Sequence, residues 1–95
     1  MAYNFSLNDI LILSSSARMR NESFGKLALA KGGPTLCLNE AASYIVDSCD
    51  GTLNAQQVID KVVTSIQTDD KHLLASKVEK VLDALCDANI LAIKK

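Results

Sequence analysis

The hydrophobic period of this 95-residue chain switches at Asn39. Upstream the pattern is that of strands. Arg18, Met19 and Arg20 begin a short extended segment. Lys26-Leu27-Ala28-Leu29-Ala30 then sets two leucines on one face of a pleat and the alanines on the other. Lys31-Gly32-Gly33-Pro34 is a turn: the glycines permit positive φ, and Pro34 cannot donate to a ladder. Thr35-Leu36-Cys37-Leu38 is the returning strand. The minimal reading of residues 17–38 is a meander of three short antiparallel strands.

Downstream the period is helical. Asn39 is a cap, with Glu40 well placed in the first turn. Ala42, Ile45, Val46 and Cys49 follow on one apolar face, and Asp50-Gly51 stops that helix. Asn54 with Gln57 predicts a capping box for a second helix, about Ala55–Gln67, carrying Val58, Ile59, Val62, Val63 and Ile66. After a polar connection, Thr68-Asp69-Asp70-Lys71, a third helix over about Leu74–Ala88 carries Val78, Val81, Leu82, Leu85 and Cys86. Asn89 ends it, and Ile90–Ile93 packs as an apolar tail. The expected fold is α+β: a three-stranded antiparallel sheet followed by three helices, in the order β-β-β-α-α-α. It resembles a winged-helix arrangement read sheet first.

Residues 1–16 are set apart as an N-terminal extension, and residues 17–95 as the domain proper. Leu7 and Ile10–Leu13 are too apolar for a free tail. Docking on the body, an extra strand and a dimer contact are the three readings open for them.

Composition closes several function classes. The chain holds 10 Lys+Arg against 11 Asp+Glu, a net charge of -1. Aromatics are 4%, with no Trp. That balance supplies neither the phosphate neutralisation nor the stacking platforms of a nucleic-acid binder. Ile10–Leu13, the longest aliphatic run, is far short of the ~20 residues of a membrane span. The N-terminus has no signal-peptide pattern, and a cytoplasmic location is expected. Cys37, Cys49 and Cys86 are odd in number and form no C-x-x-C pair, so they read as reduced core thiols rather than a disulfide frame or zinc site.

Motifs that carry chemistry are scarce. The single histidine, His72, sits in a polar stretch and reads as a solvated surface residue. Gly32-Gly33 precedes Pro34 and reads as a turn, not a phosphate loop. No metal, no cofactor and no catalytic residue is expected. Charge is uneven along the chain: residues 1–70 carry 5 basic and 8 acidic side chains, residues 71–95 carry 5 and 3. The third helix and tail are therefore mildly cationic; chance and the preference of lysine for a helix's C-terminal half explain this more simply, and a face turned to an acidic peptide is the functional alternative. The last strand of the meander, Thr35–Leu38, is expected at the sheet edge and bears no charge. Such edges invite pairing with another chain. Beside an apolar helix flank, this one suits an extended peptide added as a further strand.

The same residues carry a family resemblance. Leu38-Asn39-Glu40-Ala41-Ala42, Ile45, Asp50-Gly51 and Val58-Ile59 follow in the manner of PqqD-like proteins. Arg20-Asn21-Glu22-Ser23-Phe24-Gly25 looks like the R-x-E-x-F-G strand signature of a subset that works beside radical enzymes. Val81–Leu85 followed by Ile90-Leu91 resembles the final helix and its apolar end. The match runs over about residues 17–93. It implies a stand-alone recognition element for ribosomally made, post-translationally modified peptides. Such a protein is a non-catalytic peptide chaperone. It binds a precursor's leader by strand addition and presents it to a modifying enzyme, often a radical S-adenosylmethionine maturase, in natural-product biosynthesis. The implied leader-binding residues are Thr35, Leu36, Cys37 and Leu38 on the strand, with Lys77, Val81 and Ala84 on the third helix. Two departures from the family pattern are Lys77, where an acidic residue is common, and Asn89, where glycine is usual.

Two other functions compete. One is a structural or dimerisation module whose edge pairs with a second copy of the chain. The other is a winged-helix DNA binder, which the second helix supports poorly, since it sets only Lys61 against Asp60.

Overall fold

The computed structural model describes residues 4–66 and 69–94. Gln67 and Thr68, at the expected end of the second helix and start of the polar connection, lie outside the described residues, as do residues 1–3 and Lys95. The fold is a mixed α+β domain with three helices and two small sheets. In chain order the elements are β1 (Ile10–Leu13), β2 (Arg18–Glu22), β3 (Gly25–Leu29), β4 (Leu36–Leu38), α1 (Glu40–Ser48), β5 (Asp50–Asn54), α2 (Ala55–Ser65), α3 (Lys71–Asp87) and β6 (Leu91–Ile93).

The expected order β-β-β-α-α-α therefore needs correction. The three-strand meander is present as antiparallel β2-β3-β4. The first sheet, ordered β5-β1-β6, draws on segments read as an extension, a helix stop and a tail, and the meander is the second sheet. Of the three readings open for the N-terminal segment, the extra strand is the one found. β1 is the central strand of its sheet, antiparallel to both neighbours, and Leu11 is completely buried. Leu11, Ile12 and Leu13 pair with Ile93, Ala92 and Leu91.

Local signals explain the helix ends. The Asn39 side chain accepts from Ala42 N at the start of α1. Asn54 and Gln57 exchange both bonds of the capping box before α2. Asp70 Oδ1 accepts from Leu73 N, so α3 starts at Lys71, within the stretch read as a polar connection. At its far end Asn89 takes φ +64°. Ile90 N donates to Leu85 O and Asn89 N to Cys86 O, which is the Schellman pattern. Asn serves where glycine is usual because its short polar side chain tolerates the left-handed region.

The core lies between the first sheet and the helices, with Leu11, Val58, Val62, Leu82, Leu85 and Ile90 fully buried. The second sheet leans on α1. In β3 it is the alanine face that turns inward: Ala28 is completely buried, while Leu29 is 42% exposed. α1 packs close to β3, leaving depth for a methyl group there. Facing Ala28 and Lys26 across the ladder, Leu36 and Leu38 of β4 point to the same inner side. Cys37 points the other way and is exposed. The expectation of three core thiols is thus wrong for Cys37: only Cys49 is fully buried, and Cys86 is partly so.

Candidate functional site

Among the described residues β4 pairs with β3 alone, so one flank of β4 carries no strand of theirs. Which backbone groups point that way follows from Gly25. Its φ is +142°, and a Cβ there would collide with the Leu38 carbonyl oxygen. Leu38 O therefore faces β3. In an antiparallel pair successive residues alternate in the direction of their N–H and C=O. With Lys26–Leu38 and Ala28–Leu36 as the bonded pairs, the N–H and C=O of Cys37 point to the open flank.

That flank joins a cleft of about 290 Å³. β4 contributes Cys37 and the cap Asn39. α1 contributes Ala41, Ala42 and Ile45, α2 contributes Val62, and Ile66 follows as the C-cap of α2. The opposite wall is α3, through Leu74, Lys77, Val78 and Val81. Tyr44 and α2 hold the floor together: Tyr44 Oη and Ser65 Oγ are 2.9 Å apart, and Lys61 Nζ lies 5.6 Å from the Tyr44 ring centre. Lys61, the sole base of α2, is thereby occupied. Among the described residues Lys77 is the one charged side chain in the cleft lining.

Of the residues singled out in the sequence, Cys37, Lys77 and Val81 are brought together in this cleft. Leu36 and Leu38 flank Cys37 in the strand, but their side chains face inward. Thr35 is exposed and precedes the strand, which correction shortens the expected Thr35–Leu38 ladder by one residue. Ala84 is exposed on α3 beyond Val81 and is not part of the lining. The sequence reading missed the floor and the start of the α3 wall: Ala42, Ile45, Val62, Ile66 and Leu74 carry an ordinary amphipathic signal, and nothing in it separates a core position from a cleft lining.

The other sheet edges differ. β2 presents Arg18, Arg20 and Glu22, with Arg20 Nε 2.9 Å from Glu22 Oε1, and charge blunts such an edge. At β5 the Lys94 ammonium donates to Gly51 O. β6 borders the larger cleft, about 480 Å³, lined also by Asn4, Cys86, Asp87 and Asn89. Asn4 is tied there to Asp83 Oδ1 by its backbone N–H (2.7 Å) and its Nδ2 (3.0 Å). That cleft is wider but more polar, and the chain's own N-terminal segment already enters it. Among the described residues only β4 pairs an uncharged edge with an apolar cleft.

Titration behaviour is perturbed elsewhere. Burial, with the neighbouring Cys86 and Asp50 as lesser causes, pushes the Cys49 thiol up to about 12. Burial, with Asp83 and Asp9 as lesser causes, pushes Cys86 up to about 11. The Thr52 hydroxyl and backbone N–H hold Asp50 below the usual carboxylate range. None of these three lines the β4 cleft. Among the described residues no group of three or more His, Cys, Asp or Glu could hold a metal ion. No helix among them is long and apolar enough to cross a membrane. His72 is exposed in the first turn of α3. Comparison with protein-family models, curated proteins and solved structures finds no match to this chain.

Proposed function

We propose that this chain is a non-catalytic peptide-binding module that takes an extended segment of another chain as a fourth strand beside β4. The observation that carries the reading is the open flank of β4 beside an apolar cleft that Cys37 and α3 both line. A guest strand gains main-chain hydrogen bonds there, each worth ~1 kcal/mol net. Alternate side chains enter the cleft, each adding ~1.5–3 kcal/mol when fully buried. Ordering and association costs offset much of this, leaving a Kd in the nanomolar to micromolar range. β4 spans only ~10 Å at the rise of a strand, so the backbone ladder is short and the side chains must supply much of the affinity.

The PqqD-like resemblance supplies the fuller form of the proposal. The guest is the leader of a ribosomally made precursor peptide, and a radical S-adenosylmethionine maturase or another peptide-modifying enzyme is the second partner. In this reading the protein is cytoplasmic, with a winged-helix-like arrangement of β2-β3-β4 and the helices. Holding the leader raises the effective concentration of the core peptide at that enzyme.

The test is a titration of ¹⁵N-labelled protein with peptides encoded by short reading frames beside its gene. Binding should move the amides of residues 36–38 and 74–81 and slow exchange of the Cys37 N–H. Cys37→Pro removes that outward donor, a change an edge strand accepts, and should weaken binding about fivefold. Shifts confined to another face, or unchanged affinity in a folded Cys37→Pro protein, would reject strand addition at β4. A dimerisation module is the second reading, favoured by the exposed Phe24 and Leu29 on the β2-β3 hairpin. A tight dimer in sedimentation, indifferent to peptide, would select it.

A further inference from the structure

We infer that the guest strand carries one carboxylate beside its apolar anchors, and that Lys77 reads it. The inference rests on the peptide-binding reading above and adds the chemistry of the guest. The floor of the cleft, from Ala42 and Ile45 across to Val62 and Val78, offers no polar partner and selects aliphatic side chains. On the α3 wall Lys77 stands one turn from both Leu74 and Val81, on the same helix face. It is exposed, and among the described residues its ammonium has no ion pair.

A strand laid along β4 presents its cleft-facing side chains ~6.6 Å apart. When one of them fills the floor, a neighbour on the same face reaches the α3 rim. The three chemical possibilities at that neighbour are unequal. An apolar side chain covers the ammonium and strips its water with no compensating bond. A basic one repels it. A carboxylate bonds it and stays half-solvated, so it avoids the penalty of full burial. The acidic side chain belongs at the α3 rim and not at the α1 side, where Glu40 lines an adjoining cleft that shares Ala41 and Ile66. The net positive charge of residues 71–95 favours approach of an acidic segment over a longer range.

The experiment is selection from a phage-displayed random octapeptide library on the full chain, in parallel with Lys77→Glu. Lys77→Glu changes an exposed helix position, and its circular dichroism should match the parent. The wild-type protein is expected to enrich aliphatic peptides with Asp or Glu at one fixed spacing, and Lys77→Glu to lose that acid or replace it with Lys or Arg. For one enriched peptide, Lys77→Gln and the peptide's own Glu→Gln change should each cost about two- to fivefold in Kd, with no further loss when combined. Aliphatic enrichment with no acidic position in either selection overturns this inference and leaves the peptide-binding reading standing. No enrichment by the wild-type protein overturns both. An acid retained at the same spacing by Lys77→Glu assigns the recognition to another residue and also overturns it.

Discussion

Gly25 and Gly32 both have positive φ, yet replacing each with alanine should have different consequences. At Gly32, φ is +79° and a Cβ meets nothing within 4 Å. The substitution there pays only the left-handed penalty, about 1–2 kcal/mol, partly offset by a stiffer unfolded chain. At Gly25, φ is +142° and the Cβ overlaps the Leu38 carbonyl oxygen, with Asn39 C and O also close. Backbone strain costs about 1–3 kcal/mol. The overlap is with backbone, so it is relieved only by separating β3 from β4, at about 1 kcal/mol for each ladder bond lost. Gly25→Ala should therefore lose about 3–5 kcal/mol, against about 1 kcal/mol for Gly32→Ala. That loss is a large part of the stability of a domain this size. Urea unfolding followed at 222 nm reads both values from the midpoints at constant m. Amide exchange in Gly25→Ala should rise first in residues 36–38. Equal destabilisation of the two variants would refute the close approach of β3 to Leu38, and with it the assignment of Cys37 N–H to the open flank.

Three further outcomes follow. At pH 8 a thiol with a pKa of about 12 is ionised in roughly one molecule in ten thousand, so Cys49 should not react with dithiobis(nitrobenzoate), and Cys86 should react slowly; exposed Cys37 should label promptly, giving one fast thiol in the native protein and three in denaturant. Stability should fall as pH rises above about 9. The unfolded chain releases both protons near 9.0, whereas the folded chain holds that of Cys86 to about 11 and that of Cys49 to about 12, so each thiol costs about 1.4 kcal/mol per pH unit over its own interval; Cys49→Ala should remove about half of the slope between pH 9 and 11, and an unchanged slope would assign it to other groups. Leu11→Ala, at the centre of the first sheet, should cost about 2–5 kcal/mol in the same urea assay, while Leu13→Ala, 40% exposed in the same strand, should cost well under half of that.

The helices were legible in the sequence because their signals are local. Asn39, Asn54 with Gln57, and Asn89 mark ends through side-chain chemistry within three or four residues. The β2-β3-β4 meander was legible for the same reason: its turns lie between the strands they join. The first sheet was not, since its ladder joins Ile10 to Asn54 and Leu13 to Leu91, and no short window contains both partners. β5, Asp50-Gly51-Thr52-Leu53-Asn54, has no alternating apolar pattern and looks like a helix stop followed by a cap, which it also is. At the cleft, the uncharged edge and its α3 wall were legible through Cys37, Lys77 and Val81. The placement of Thr35 and Ala84 outside it was not, because the strand end and the turn of α3 that faces the cleft are set by packing and not by composition.

The middle position of β1 also sets a timetable for biogenesis. A nascent chain that has emerged only to residue 89 holds Leu11 with one of its two strand neighbours still unmade. At translation speeds of ~5–20 residues per second, the roughly 80 residues from Leu13 to Leu91 take about 4–16 s to make, and the first sheet cannot close before then. During that interval one edge of the aliphatic stretch Ile10–Leu13 has no strand partner, an edge of the kind that invites pairing with another chain.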